Sequence, residues 1–280
     1  MLSDLLVPLL LGVIEGFTEF LPISSTGHLL IAEHWLGPRT ELFNIAVQAG
    51  AILAVAMVYR QRLWILAAAV FAPGTAAHAA AHWDQPPRAY LARLVVAFGV
   101  TTVLGLAVKA FGWELPHEIA PIGWALILGA AWMVLAEHVA AKRLGQQEDR
   151  PSITWIAAIL VGVAQVVAGV FPGTSRSAAA IFVVLLCATS NRRAAAEFVF
   201  LVGIPTMFGA TAYSLVETLG RQAITDIQWV EICAGFVAAF LSASIAVRWL
   251  LQYIQVHKFT GFAIYRVALG SLLLLWSYAS

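Results

Sequence analysis

Two stretches of the chain concentrate residues that can do chemistry. The first is Glu15-Gly-Phe-Thr-Glu-Phe-Leu-Pro-Ile-Ser-Ser-Thr-Gly-His28. Glu15 and Glu19 stand four residues apart and share one face of a helix. Two carboxylates in apolar surroundings repel unless a cation sits between them, and oxygen ligands suit Mg²⁺ or Ca²⁺. Glu15 and Glu19 are therefore candidate ligands of a divalent cation. Ser24-Ser25-Thr26-Gly27-His28 follows Pro22 and predicts a helix start, whose orphan N–H groups favour an anion. The hydroxyls of Ser24 and Thr26 add donors to that anion site, or simply cap the helix. Ser25, with His28 three residues on, is a candidate activated nucleophile. The second stretch, Phe171-Pro-Gly-Thr-Ser-Arg-Ser177, repeats the design. Thr174, Ser175 and Ser177 flank Arg176, whose guanidinium fork matches phosphate oxygens. A structural ion pair of Arg176 with Glu15 or Glu19 is the plainer alternative and is compatible with that role. Acids, a serine, a histidine, an arginine and two helix starts suit phosphoryl transfer at a metal-bound phosphate. No Walker A glycine loop accompanies them.

The elements that must position these groups lie in a bilayer. Of 280 residues, 61% are apolar and 11% charged, with net charge +1 from 16 Lys plus Arg against 15 Asp plus Glu. The mean hydropathy is +0.86. A soluble domain carries roughly 45–50% apolar and about 25% charged residues. This composition excludes a soluble enzyme, a nucleic-acid binder and a disordered chain. The apolar runs are long and lack the alternation of a membrane β-barrel, so the spans are helices. Six segments reach the ~20 residues a crossing needs: 43–59, 89–111, 120–141, 197–217, 229–252 and 261–279. The regions 5–36 and 153–190 are each interrupted by one of the two chemical stretches and are expected to form re-entrant helical hairpins. The fold class expected is an all-α polytopic membrane protein of six spans and two re-entrant hairpins.

Charge supports this count. With the N-terminus outside, the basic clusters at 60–62, 88–93, 142–150, 192–193, 248 and 258 all fall inside. Arg39, Lys109 and Arg221 fall outside, Arg176 is buried and Arg266 lies within its helix. That is a positive-inside pattern. A shift of 150 also superimposes the interrupted regions: Gly12-Val13 on Gly162-Val163, Glu15 on Gln165, Pro22 on Pro172 and Ser25 on Ser175. Residues 1–145 and 146–280 then form two repeats, each one hairpin and three spans. Three crossings invert the second repeat, an architecture that places its site at the repeat interface near the midplane.

Other features read more plainly. Cys187 and Cys233 lie in apolar runs and are expected to be buried filler. The stretch 72–88 reads as a polar linker, although His78 and His82 at i, i+4 have metal-ligand spacing. His34, His117, His138 and His257 lie near span ends, where interfacial roles are expected. The first residues carry no Lys or Arg and lead to no small-residue cleavage site, so they read as mature protein.

The two stretches resemble the signatures of the undecaprenyl-diphosphate phosphatase family, also called the bacitracin-resistance protein family. E-G-x-T-E-F-L-P-x-S-S-T-G-H is intact from Glu15 to His28, and P-G-x-S-R-S from Pro172 to Ser177. Glu197-Phe-Val-Phe-Leu-Val-Gly-Ile-Pro-Thr-Met207 and Phe262-Ala-Ile-Tyr-Arg266 extend the likeness along nearly the whole chain. Where that family usually continues S-R-S-G-x-T, Ala178 and Ala180 stand here. The resemblance implies removal of the terminal phosphate of undecaprenyl diphosphate at the outer face of the bacterial plasma membrane. The carrier would thereby be recycled for peptidoglycan. It implies a divalent metal, and Glu15, Glu19, Ser25, His28 and Arg176 as essential residues. Either Ser25 attacks phosphorus, with His28 or a Glu taking the proton, or Glu19 or His28 activates water. The rival class is a polyprenyl-phosphate flippase, because inverted repeats with broken helices are transporter architecture. The type-2 phosphatidic acid phosphatases also use S-G-H and S-R motifs, but their upstream K-x₆-R-P element is absent. Oligomeric state is left open, a homodimer among the options.

Overall fold

The structure, a computed structural model, describes residues 2–80, 83–112, 119–144, 152–220 and 226–279. His82, His117 and the linker around 145–150 lie outside the described residues. Twelve helices and no strand occur among the described residues: α1 Leu2–Thr18, α2 Ser25–Leu36, α3 Glu41–Val58, α4 Arg60–Phe71, α5 Pro73–Ala79, α6 Pro87–Ala110, α7 Ile119–Leu144, α8 Trp155–Val170, α9 Arg176–Cys187, α10 Arg192–Leu219, α11 Asp226–Val256 and α12 Thr260–Ala279. Six of them, α3, α6, α7, α10, α11 and α12, contain stretches of 18 to 28 residues long and apolar enough to cross a bilayer. They fall on the six segments expected from hydropathy. The protein is a multi-pass membrane protein.

Polar residues set the helix starts. Thr40, Thr154 and Asn191 accept hydrogen bonds from the N–H groups of Phe43, Ala157 and Ala194 at 3.2, 3.1 and 3.0 Å. Each satisfies one of the orphan donors of a first turn. The two interrupted regions are broken helices: α1 stops at Thr18 and α2 starts at Ser25, while α8 stops at Val170 and α9 starts at Arg176.

The packing is reciprocal. α1 lies along α11, and α8 lies along α6, so each broken pair packs on a long helix from the other half of the chain. α7 pairs with α12, and α3 touches both α11 and α10. Contact of α1 with α11 is close enough to need glycine. A Cβ on Gly12 would meet Gly235 backbone, and one on Gly16 would meet Ser242 and the Ala239 carbonyl. Five ion pairs among the described residues join the halves: Glu19–Arg176, Arg39–Glu231, Arg62–Glu197, Lys109–Glu217 and Glu137–Arg192.

Two expectations are corrected here. Cys187 and Cys233 are exposed, not buried. A span is apolar on its lipid face as well as inside, so an apolar run does not say which way a thiol points. The stretch 72–88 is not wholly linker. α4 runs on to Phe71, and Pro73 opens the short helix α5 at a position where its missing N–H costs nothing. His78 lies on α5, and no group of three or more His, Cys, Asp or Glu suited to a metal occurs among the described residues.

Candidate active site

Each break ends in a serine with left-handed backbone. Ser24 has φ 74° and Ser175 has φ 69°, the non-glycine residues with positive φ among those described. Such a conformation costs on the order of 1–3 kcal/mol and persists where the surroundings over-determine it. Both serines cap the helix they precede: Ser24 Oγ accepts from Gly27 N at 3.4 Å and Ser175 Oγ from Ala178 N at 3.3 Å. The residue in the backbone role of Ser175 is thus Ser24, one earlier than the pairing of Ser25 with Ser175 read from the sequence. The second break is one residue longer after its proline, which moves the register from 150 to 151.

With that register, Ser25 and Arg176 are the first residues of α2 and α9, and both reach Glu19. Ser25 Oγ donates a hydrogen bond to Glu19 Oε2. Arg176 Nη2 donates to Glu19 Oε1 at 3.2 Å. Glu19 is 7% exposed and sits just past the end of α1, its N–H bonded to the Glu15 carbonyl at 2.9 Å. Glu15, 5% exposed, lies beside it, the two carboxyl groups in contact.

A cavity of about 190 Å³ opens between the breaks, lined by Glu19, Ser24, Ser25, Thr26, Ser175 and Arg176, with Ala168, Gly169, Pro172 and Gly173 completing the wall. It gathers hydroxyls, a guanidinium, a carboxylate and the first turns of two helices, which is an anion cradle next to a serine hydroxyl whose proton already points at a base. Not every residue singled out from the sequence faces it. Gly27 lines a neighbouring cavity with Leu30 and Ile31. Ser177 is buried and bonds to the Leu21 carbonyl at 3.2 Å and to Ser175 Oγ at 3.1 Å, tying one break to the other. Thr174 contributes its carbonyl to Arg266. Ala178 and Ala180 are buried in the main apolar cluster.

His28 is held away from the proton of Ser25. Its Nδ1 lies 2.7 Å from the Ser24 carbonyl, which can only accept, so Nδ1 carries the proton. Nε2 then accepts from the Tyr265 hydroxyl at 2.6 Å, and the two rings stack. Glu19, not His28, is the base in contact with Ser25.

Sequence reasoning left out the residue that joins the breaks. Arg266 of α12 is wholly buried. It donates to five carbonyls at 3.1–3.2 Å: Pro22 of the first break, Gly173 and Thr174 of the second, and Ala125 and Leu126 of α7. No carboxylate pairs with it among the described residues. The signal was a charged residue in mid-span, which is costly there and functional by default.

The chain matches the family described as bacitracin resistance protein BacA over residues 8–272. It is 52% identical over 275 residues to the undecaprenyl-diphosphatases of Xanthomonas oryzae pv. oryzae (strain PXO99A) and Xanthomonas campestris pv. campestris (strain 8004), covering 98% of both chains in each comparison. With the undecaprenyl-diphosphatase of Xylella fastidiosa (strain 9a5c) it shares 52% over 273 residues, again 98% of each. Likeness of this extent, reaching through both breaks and Arg266, shows that the chain belongs to the bacitracin resistance protein family.

Proposed function

We propose that this chain is a membrane phosphatase that cleaves the terminal phosphate from undecaprenyl diphosphate, the substrate given in the names of its relatives. The observation that carries the reading is Glu19, one oxygen on the Ser25 hydroxyl and the other on the Arg176 guanidinium. Ser25 Oγ attacks the terminal phosphorus while Glu19 takes its proton. The bond from that phosphorus to the bridging oxygen breaks, and the prenyl monophosphate leaves. Arg176, the hydroxyls of Ser24, Thr26 and Ser175 and the first turns of α2 and α9 hold the equatorial oxygens. Glu19 passes that proton to the departing monophosphate. Water then attacks the phosphoserine, and Glu19 takes a proton from it and returns it to Ser25 Oγ as the Oγ–P bond breaks and phosphate departs. In the second reading Glu19 activates water directly and Ser25 only positions the phosphate.

A divalent cation fits the donor set. Glu15 and Glu19 are buried carboxyl groups in contact, so ionising both would set two negative charges against the one guanidinium of Arg176 in an apolar setting, which a cation would balance. Mg²⁺ commonly uses one or two carboxylates and completes its shell with water and substrate phosphate, whereas Ca²⁺ wants 6–8 oxygens. Mg²⁺ held by Glu15 and Glu19 would neutralise charge on the transferred group.

We also place the two broken pairs as re-entrant hairpins of inverted repeats, 1–145 and 146–280. The reciprocal packing of α1 on α11 and α8 on α6 supports this. The positive-inside pattern supports termini outside, and with the family resemblance we take the cavity to face the outside of the bacterial plasma membrane, where released carrier would return to peptidoglycan synthesis. Phosphate release by purified protein in detergent, supplied with Mg²⁺ and undecaprenyl diphosphate, tests the reading. Release without a gradient or membrane sides is expected; none would leave the flippase as the better account.

A further inference from the structure

A groove of about 540 Å³ runs between α4 and α6, far from the catalytic cavity. Its walls are Val70 of α4 and Leu91, Val95 and Val96 of α6. Arg88 and Trp155 also line it. The Arg88 Nε donates across the groove to the Ala69 carbonyl at 2.9 Å. The Arg93 guanidinium lies over the Trp155 ring, 4.8 Å from its centroid. Arg93 Nη1 bonds to the Ala89 carbonyl at 2.7 Å, and its Nε is buried without a partner. Neither arginine pairs with a carboxylate among the described residues. Trp155 opens α8, and the other end of that helix, Ala168–Gly169, lines the catalytic cavity. At 1.5 Å per residue the two sites are roughly 20 Å apart.

We propose that this groove binds an anionic phospholipid, an acyl chain along Val70, Leu91 and Val95 and the phosphate at Arg88, with the Arg93 guanidinium, outside the lining but against Trp155, adding positive charge. Charge complementarity selects the occupant. A zwitterionic lipid fills the apolar trough equally well but leaves two guanidinium groups without net counter-charge. Basic pockets between membrane helices take anionic headgroups on these grounds, and an indole at the mouth suits the interface. Neither arginine lines the catalytic cavity, so the site stands apart from the phosphatase reading.

The test is thermal unfolding of the full-length protein in detergent, with dioleoyl phosphatidylglycerol, dioleoyl phosphatidylcholine or inorganic phosphate added at equal concentration. A ligand that binds the folded state alone raises the unfolding temperature. Phosphatidylglycerol is expected to raise it by several degrees more than phosphatidylcholine, and any shift from phosphate, which the catalytic cavity can also take, is expected to be the same in the parent and the groove variants. In the Arg88→Gln/Arg93→Gln protein that excess should fall to under half. Val95→Trp, which fills the groove and leaves the charges in place, should do the same and serves if the double variant does not fold. Equal shifts from the two lipids, a phosphate shift that falls in the variants along with the lipid excess, or an undiminished excess in both variants would overturn the proposal.

Discussion

The guanidinium of Arg266 occupies the space a side chain at Gly129 would fill, a Cβ there falling 2.8 Å from its Cζ. Gly129 of α7 is what lets α12 bring a cation to five carbonyls on three separate segments. Lysine has three donors and no fork, so Arg266→Lys leaves at least two of the five hydrogen bonds unmade. Each hydrogen bond lost from a charged donor costs about 1.5–3 kcal/mol. Thermal unfolding should therefore drop by several degrees and phosphate release by at least about tenfold, since misplacement by 1 Å costs on the order of 100-fold. Gly129→Ala should do the same by displacing the guanidinium. Because both act on one contact, the losses in the double variant should be less than additive. Strict additivity would remove Gly129 from this role.

Glu19 serves two partners with separate oxygens, and its variants should separate the two jobs. Glu19→Gln keeps a carbonyl oxygen for Arg176 but is no base. General-base catalysis is worth about 10²–10⁴-fold, so kcat should fall within that range with KM little changed. Arg176→Ala removes the phosphate clamp and should raise KM as well as lower kcat. Equal effects of the two variants on KM would argue against separate roles.

Much of this was legible because the bilayer imposes a length. α3, α6, α7, α10, α11 and α12 announce themselves as runs of about 20 apolar residues. The breaks announce themselves because a proline and a run of hydroxyls interrupt each of the two remaining apolar regions. What was hidden depends on contacts between distant segments. No local pattern says that Arg266 meets Pro22 and Thr174, 244 and 92 residues away. His28 is three residues from Ser25, yet its ring turns to the Ser24 carbonyl and to Tyr265 of α12. The shift of register between Pro172 and Ser175 hid the equivalence of Ser24 with Ser175, which the two left-handed φ values and the matching cap hydrogen bonds reveal.

If Mg²⁺ is held as proposed, the dependence of the rate on it should rest on Glu15 more than on any other residue outside the cavity wall. Chelation of divalent ions should abolish phosphate release, and Mg²⁺ should restore it. Glu15→Gln leaves Glu19 with Ser25 and Arg176 but halves the carboxylate set, so the Mg²⁺ concentration for half-maximal rate should rise at least about tenfold, as losses of ligand-shell groups do. An unchanged Mg²⁺ dependence would place the cation elsewhere.

His28 should act as a positioning residue for the strained Ser24 backbone. Were it the base, its loss would delete one limb of the pH–rate profile. As a positioning residue, His28→Ala should lower kcat across the whole profile and leave its shape unchanged. Tyr265→Phe removes one hydrogen bond to the ring, worth about 0.5–1.5 kcal/mol, and should cost only a few-fold.

The nucleophile itself can be identified by trapping. If Ser25 Oγ attacks phosphorus, rapid acid quench during turnover should leave a phosphoserine on the peptide that contains Ser25. Ser25→Ala should then abolish both label and turnover. If Glu19 activates water directly, no labelled peptide forms. Ser25→Ala then loses only the positioning hydroxyl, keeping a rate within about 10- to 100-fold of the parent, since one hydrogen bond to a charged group is worth about 1.5–3 kcal/mol. The hydrogen bond from Ser25 to Glu19 favours the covalent outcome. It directs the serine proton to the carboxylate before substrate arrives, and so leaves an oxygen lone pair free for the phosphorus.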